Sequence, residues 1–356
     1  VEVTPTEGAS ILKVELYADD RVIATLLDPP YSFTWDAGDS LAARTLRAKA
    51  YASGGVTATH KVTTRALVGA QKARVTLVQV YCTVRDSQGG YLMELQRDDF
   101  TVLESGVKQR IATFTSERKP ANLVLLFDAS ASMARDGRIE TAKEAAEGFV
   151  EALEPEDTAS LIAFNDVPRV IQIPTSDHAA LQAGIGSIEA KGGTALYDAI
   201  VDAVAHLRDR EGRKAIILLS DGRDESLDGM GPGSIATFED ALDALLKSET
   251  AIYAIGTGQK LEEELDFERR RTIGEIMGTM AGRSGGRAFF IKSASKLKDA
   301  YRRIEDELRH QYTLAYYPGD EPAAGKKAPG SDWRPIEVRV SRPRARVTAR
   351  SGYFAR

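Results

Sequence analysis

Apolar and polar positions change rhythm twice along this chain. Over residues 1–68 they alternate in short runs: Lys13–Tyr17, Val22–Leu26, Tyr31–Trp35, Leu46–Tyr51 and Thr57–Thr64. Turn chemistry separates them at Asp19-Asp20, Asp28-Pro29-Pro30, Asp36-Ala37-Gly38 and Ser53-Gly54-Gly55. Period-two runs spaced about 8–12 residues apart predict a small β-sandwich. Residues 73–118 stay in the same mode, with runs at Ala73–Arg85, Phe100–Glu104 and Gln109–Phe114 around the turns Asp86-Ser87-Gln88-Gly89-Gly90 and Ser105-Gly106.

From about residue 120 the rhythm becomes strand, helix, strand. Asn122–Phe127 is a continuous apolar run, as a strand buried on both faces requires. Arg138–Leu153 sets Ile139, Ala142, Ala146, Phe149, Val150 and Leu153 on one helical stripe, and Ala195–Leu207 does the same with Leu196, Ile200, Val204 and Leu207. Strands are predicted at Ala159–Phe164, Val170–Ile173, Lys214–Ser220, Ala251–Gly256 and Ala288–Ile291. Helices are predicted at Phe238–Lys247, near 266–282 and at 295–309. This alternation predicts an α/β doubly wound, Rossmann-like sheet. After residue 310 β mode returns at Tyr312–Tyr317, Ile336–Val340 and Arg346–Ala349, with a Gly, Pro, Ala and Lys-rich loop over 318–332.

Composition narrows the function classes. At ~150 residues per domain, 356 residues predict two to three domains. The 47 Lys plus Arg nearly balance 52 Asp plus Glu, a net of −5, which argues against a nucleic-acid partner. No apolar run approaches the ~18 residues of a transmembrane helix. Cys82 is alone, so internal disulfides and multi-thiolate metal sites are excluded, and His60, His178, His206 and His310 lack zinc spacing. The chain starts at Val1 with no leader after it, as expected of a processed or trimmed N-terminus.

Open α/β sheets bind ligands beyond the carboxyl ends of their strands. The first such end reads Phe127-Asp128-Ala129-Ser130-Ala131-Ser132, an Asp-x-Ser-x-Ser; the second is Gly192-Gly193-Thr194, and the third Ser220-Asp221-Gly222. Asp128, Ser130, Ser132, Thr194 and Asp221 form an all-oxygen donor set with few charges. Magnesium takes such a set, with oxygen ligands, few carboxylates and retained waters; calcium or manganese also take oxygen.

At these five positions the sequence resembles the von Willebrand factor A family, and the loops resemble its metal-ion-dependent adhesion site, across roughly residues 120–308. The resemblance implies that Ser130 and Ser132 bind the metal directly. Thr194 and the two aspartates then divide direct and water-mediated roles. The flanks, with Val84-Arg85-Asp86, Asp99-Phe100 and Glu104-Ser105-Gly106 before and Gln311-Tyr312, Tyr316-Tyr317-Pro318 and Ser351-Gly352-Tyr353 after, resemble a bacterial secreted subfamily. Residues 1–70 resemble a bacterial immunoglobulin-like module, with truncation at its start expected. The expected layout is that module, then one β-sandwich made of 73–118 plus 310–354 with the A domain, 120–308, inserted into it, similar to integrin β subunits. An extracytoplasmic location follows from the resemblance.

Other features have plainer readings. Asp224 and Glu225 read as a solvated acidic loop, with a second-ion role as the alternative. The seven arginines of 331–356 read as exposed strand faces, and Glu262–Glu264 with Arg269–Arg271 as support for a surface helix. Cys82 reads as a small buried hydrophobe. The loop Asp228-Gly229-Met230-Gly231-Pro232-Gly233 is open between a recognition loop and a flexible connection.

Three functions compete. The first is a metal-dependent protein-binding or adhesion module whose partner completes the metal shell with a carboxylate. The second is a structural or self-assembling envelope protein in which metal staples the loops, and a homo-oligomer is compatible with either. The third is a magnesium-dependent hydrolase or phosphotransferase. The sequence gives it no phosphate loop, no second aspartate two residues after Asp128 and no histidine in the site loops, so no enzyme is expected.

Overall fold

The structure is a computed structural model that describes residues 10–29, 31, 33, 43–64, 77–257, 266, 271–291, 296–318 and 332–355. The chain divides into two compact units, Val1–Val75 and Thr76–Arg356.

The first unit contains β1 (Ile11–Ala18), β2 (Arg21–Leu26), β3 (Thr45–Ala52) and β4 (Thr57–Thr63), an antiparallel sheet in the order β2-β1-β3-β4. Alternation sorts its faces. Val14, Ala18 and Ala48 are buried, while between them Glu15 accepts from Lys13 Nζ (2.7 Å), Tyr17 Oη (2.6 Å) and Tyr51 Oη (2.8 Å). The expected strand at Tyr31–Trp35 falls mainly outside the described residues, as do the 318–332 loop and Glu262–Glu264.

The second unit begins with β5 (Val78–Arg85), β6 (Phe100–Glu104), β7 (Val107–Gln109) and β8 (Ile111–Thr115). It ends with β15 (Tyr312–Tyr316), β16 (Trp333–Val340), β17 (Arg346–Ala349) and β18 (Gly352–Phe354). Strands from before and after the α/β layer pair with one another in two sheets, β17-β5-β15-β8 and β18-β16-β6-β7. Both sheets fill one core, in which Val80, Cys82, Tyr312 and Leu314 meet Phe100, Val102, Val338 and Tyr353. Glu104, at the end of β6, is buried and accepts from Tyr316 Oη (2.8 Å), Tyr353 Oη (3.0 Å) and Arg334 Nη1 (3.0 Å). That consumption of the carboxylate makes its burial tolerable.

Between them lie β9 (Ala121–Asp128), α1 (Arg138–Glu151), β10 (Thr158–Phe164), β11 (Pro168–Thr175), α2 (His178–Gly186), α3 (Leu196–Leu207) and β12 (Arg213–Ser220). There follow α4 (Phe238–Ser248), β13 (Ala251–Thr257), α5 (Ile273–Ser284), β14 (Ala288–Ile291) and α6 (Leu297–Arg309). The sheet order is β11-β10-β9-β12-β13-β14, all parallel except the edge strand β11. Along β9, Leu123, Leu125 and Phe127 join one core with α1, α2 and α6, while Val124 and Leu126 join another with α3, α4 and α5. Helices therefore cover both faces, which is why the run Leu123–Phe127 of this strand is apolar.

Three elements are absent from the sequence reading, the three-residue β7 and the two that follow. In α2, Leu181 and Ile185 are the buried residues of a nine-residue helix, so its periodicity is too short to register. Its Gly184 allows close packing, since a Cβ there would stand 3.1 Å from Leu161 Cδ2. Strand β18 has three residues and depends on long-range pairing with β16. The helix expected near 266–282 begins later, at Ile273, where Thr272 and Glu275 form a capping box.

Candidate metal centre

The sheet changes winding direction around β9, which lies between β10 and β12, and the loops leaving β9 and β12 open a crevice at that switch point. Asp128 ends β9 and is fully buried. Its Oδ1 accepts from the Ser130 amide (2.9 Å) and its Oδ2 from Ser220 Oγ (2.6 Å). Asp221 follows β12 directly: its Oδ1 accepts from Ser132 Oγ (2.6 Å) and its Oδ2 from Arg138 Nη1 (2.6 Å). Ser130 Oγ and Ser132 Oγ are 2.9 Å apart. Because Ser132 spends its proton on Asp221, Ser130 donates to Ser132.

Thr194 arrives from the second loop and is locked to the third. Its amide donates to Glu225 O (2.8 Å) and its carbonyl accepts from the Glu225 amide (3.0 Å). The second loop also grips the first, through Lys191 N to Ala129 O (2.8 Å) and Ala131 N to Gly192 O (3.0 Å). The approach demands glycine: a Cβ at Gly193 would sit 2.7 Å from Glu225 O and 2.8 Å from Leu227 N. A Cβ at Gly222 would lie 3.9 Å from Thr194 Oγ1 and 4.0 Å from Ser132 Oγ, so these two hydroxyls face the same small space beside Asp221. All five residues singled out in the sequence converge here.

The two carboxylates differ. Asp221 has a cation in contact, the Arg138 guanidinium. Asp128 is surrounded by hydroxyl and amide donors and no described cation lies within ion-pair reach. Burial, followed by the charge of Asp221, pushes its carboxyl up to about 6, against the pull of the Ser130 and Ser220 hydrogen bonds. A buried carboxylate with uncompensated charge beside three hydroxyls fits a divalent cation of the oxygen-seeking kind. Among the described residues no group of three His, Cys, Asp or Glu side chains could hold a metal, so a cation at this crevice would depend on hydroxyls.

Three contributors escape sequence reasoning. Ser220 was part of the third motif without a role, and Arg138 has no spacing that marks it. Asp224 overturns its reading as a solvated residue: it is buried, accepting from Leu196 N (2.8 Å), Gly233 N (2.9 Å), Ser234 N (3.0 Å) and Ser234 Oγ. A carboxylate that accepts several amide bonds at the start of α3 is a loop anchor. Glu225 pairs with Arg223, half-exposed.

The family model described as von Willebrand factor type A domain matches residues 123–223, a span that contains all five residues. An uncharacterized protein of Synechocystis is 36% identical over 115 residues, 30% of this chain and 26% of that protein, so the chain spans about a quarter of that relative's length. A UPF0353 protein of Mycolicibacterium vanbaalenii is 26% identical over 237 residues, 62% of this chain and 69% of that protein. A solved structure, von Willebrand factor type A from Catenulispora acidiphila, has 16% identity and a TM-score of 0.45, covering 74% of this chain and 65% of that one. The sheet order and the family match agree: the chain carries a von Willebrand factor type A domain.

Proposed function

We propose that this protein is a metal-dependent protein-binding module. Its crevice holds a divalent cation, magnesium in the first instance, through Asp128, Ser130, Ser132, Thr194 and Asp221. The observation that carries the reading is the pairing of two buried carboxylates with three hydroxyls at the switch point, with Asp128 left without a counter-cation. When bound, the cation supplies Lewis acidity toward an acidic group from outside. The chain's own residues do the rest. Ser130 and Ser132 offer neutral oxygens, which neutralise none of the cation's charge. Asp128 and Asp221 compensate charge, and Arg138 cancels part of the contribution of Asp221. The same resemblance supports binding over turnover and an extracytoplasmic location. The pairing of strands from both flanks supports the reading of 73–118 plus 310–354 as one domain that carries the A domain, with the 1–70 module as a spacer.

The test is a random-peptide display selection on the full chain in magnesium, eluted with EDTA. Enrichment of sequences sharing an Asp or Glu is expected. Absence of any EDTA-released binder counts against the reading.

A further inference from the structure

At the amino ends of β12 and β13, opposite the metal crevice, residues of these strands, of β5 and of the β17–β18 connection line a cavity of about 440 Å³, the solvent at its mouth included. Hydrogen bonds among the lining residues place their polar heads. Arg213, first in β12, donates through Nη1 to Leu308 O and to Gln311 Oε1 (2.9 Å). The second bond fixes the Gln311 amide, whose Nε2 donates to Tyr253 Oη (3.1 Å). From the other wall Arg350 Nη2 donates to Gln79 O (2.6 Å) and Tyr81 Oη to Gln79 Oε1 (3.1 Å). Burial pushes the Tyr81 hydroxyl up while Arg213 and Arg350 both pull against it, so the two guanidiniums bear on one point. Glycine at 285 lets the β17–β18 connection come this close: its φ is +89°, and a Cβ there would stand 2.7 Å from Arg350 N.

The walls carry more positive charge than the chain neutralises. Arg213 is 5% exposed and meets only neutral acceptors, with no described carboxylate in ion-pair reach, and burial pushes its guanidinium down. Arg350 is 8% exposed and pairs with Glu249 (3.1 Å). Lys214 is the third cation on the wall and Glu249 the one carboxylate, an excess of two positive charges. Other buried carboxylates at this end are committed: Glu307 faces Arg85 (3.8 Å) and Arg287 (3.7 Å), and Asp157 pairs with Arg118. Donors are left over as well. The Nε atoms of Arg213 and Arg350 are buried without a hydrogen bond, and no described acceptor takes the proton of the fully buried Tyr253 hydroxyl. Buried charge and buried donors stay unfavourable until a partner meets them.

We propose that this cavity is a second ligand site, which takes a free, doubly charged tetrahedral oxyanion, phosphate or sulfate, between Arg213, Tyr253 and Arg350. Two negative charges match the excess on the walls, which a single carboxylate would leave half met. The guanidinium donors suit its oxygens. Arg213 belongs to the α/β layer and Arg350 to the sandwich, so the anion is one more fastener between the two. The site does not depend on a cation at the crevice.

The full chain is titrated by calorimetry with sodium phosphate, sodium sulfate and sodium acetate at pH 8. EDTA and a fixed ionic strength keep crevice cations and general screening out of the comparison. Wild type should bind phosphate or sulfate at one saturable site, and acetate at least about tenfold more weakly. Arg350→Gln should weaken the oxyanion at least about tenfold, and Tyr253→Phe, which keeps the ring, at least about threefold. Selenate soaked into wild-type crystals should give anomalous density between the three side chains, a readout that needs no variant. No saturable oxyanion binding, binding that both variants leave unchanged, or selenate density only elsewhere overturns the site. Acetate bound as tightly as sulfate overturns the doubly charged class.

Discussion

The two ends of the central sheet handle buried polar groups in opposite ways. At the carboxyl end, Asp128, Ser130, Ser132, Thr194 and Asp221 bond mainly to one another and to the loops that carry them, and Asp128 keeps an uncompensated charge. At the amino end, charge is spent on the chain itself. Arg213, first in β12, donates to Leu308 O, to Gln311 Oε1 (2.9 Å) and to Lys119 O (2.8 Å), so one guanidinium holds both places where the chain enters and leaves the α/β layer. Asp157 accepts from Ala121 N (2.8 Å) and pairs with Arg118, while Glu154 faces Arg118 (3.9 Å) and Arg309 (3.4 Å). Polar groups that satisfy backbone carbonyls act as fasteners; polar groups that leave a charge open act as a receptor.

The contrast can be broken by substitution at either end. Arg213→Met should destabilise the protein by about 3 kcal/mol in urea unfolding, because three acceptors, two of them in buried bonds and one part-buried, lose their donor at once. Asp128→Asn should change metal-free stability by less than about 1 kcal/mol, since it removes a buried charge that has hydrogen-bond donors but no counter-cation. The same change should weaken magnesium binding by more than about a hundredfold, about 2.7 kcal/mol, in calorimetry. If Asp128→Asn unfolds the protein as strongly as Arg213→Met, the two ends are not different in kind.

Arg138→Gln sharpens the comparison from the receptor side. With the guanidinium gone from Asp221, metal should bind about tenfold more tightly in the same titration, with no loss of thermal midpoint. Unchanged or weaker metal binding would show that Arg138 supports the loop more than it offsets its charge.

The smallest effect reports on the fastened end. Cys82, on β5, is paired with Tyr312 across the ladder, and burial pushes its thiol up to about 12. Iodoacetamide at pH 8 should leave native protein almost unlabelled, and label Arg213→Met somewhat faster. Equal protection in both proteins would place the loss of stability elsewhere than at the crossings.

Much of the α/β layer is legible in the order of residues because local rules decide it. The run Leu123–Phe127 is apolar on both faces because helices cover both, and the stripes of α1 and α3 follow from helical period. The short α2 and β18 carry too few periodic positions to show, and their existence depends on Leu161 packing against Gly184 and on Tyr353 reaching Glu104. The candidate donors were legible for a different reason: Asp128 ends β9, Ser130 and Ser132 follow it and Asp221 follows β12, where hydroxyls and carboxylates stand out against apolar runs, while Thr194 lies not at a strand end but in the loop between α2 and α3.

By itself, then, the sequence determined the alternating elements, the three motif loops and the lack of thiol and histidine chemistry, all matters of local pattern and residue type. The tertiary structure alone decided which polar groups are spent and which stay open. Arg138 and Asp221 are 83 positions apart, Ser220 and Asp128 92, and Arg213 and Gln311 98. No periodicity links residues at such distances, so whether a carboxylate meets a guanidinium, a hydroxyl or nothing is settled only when the strands come into register.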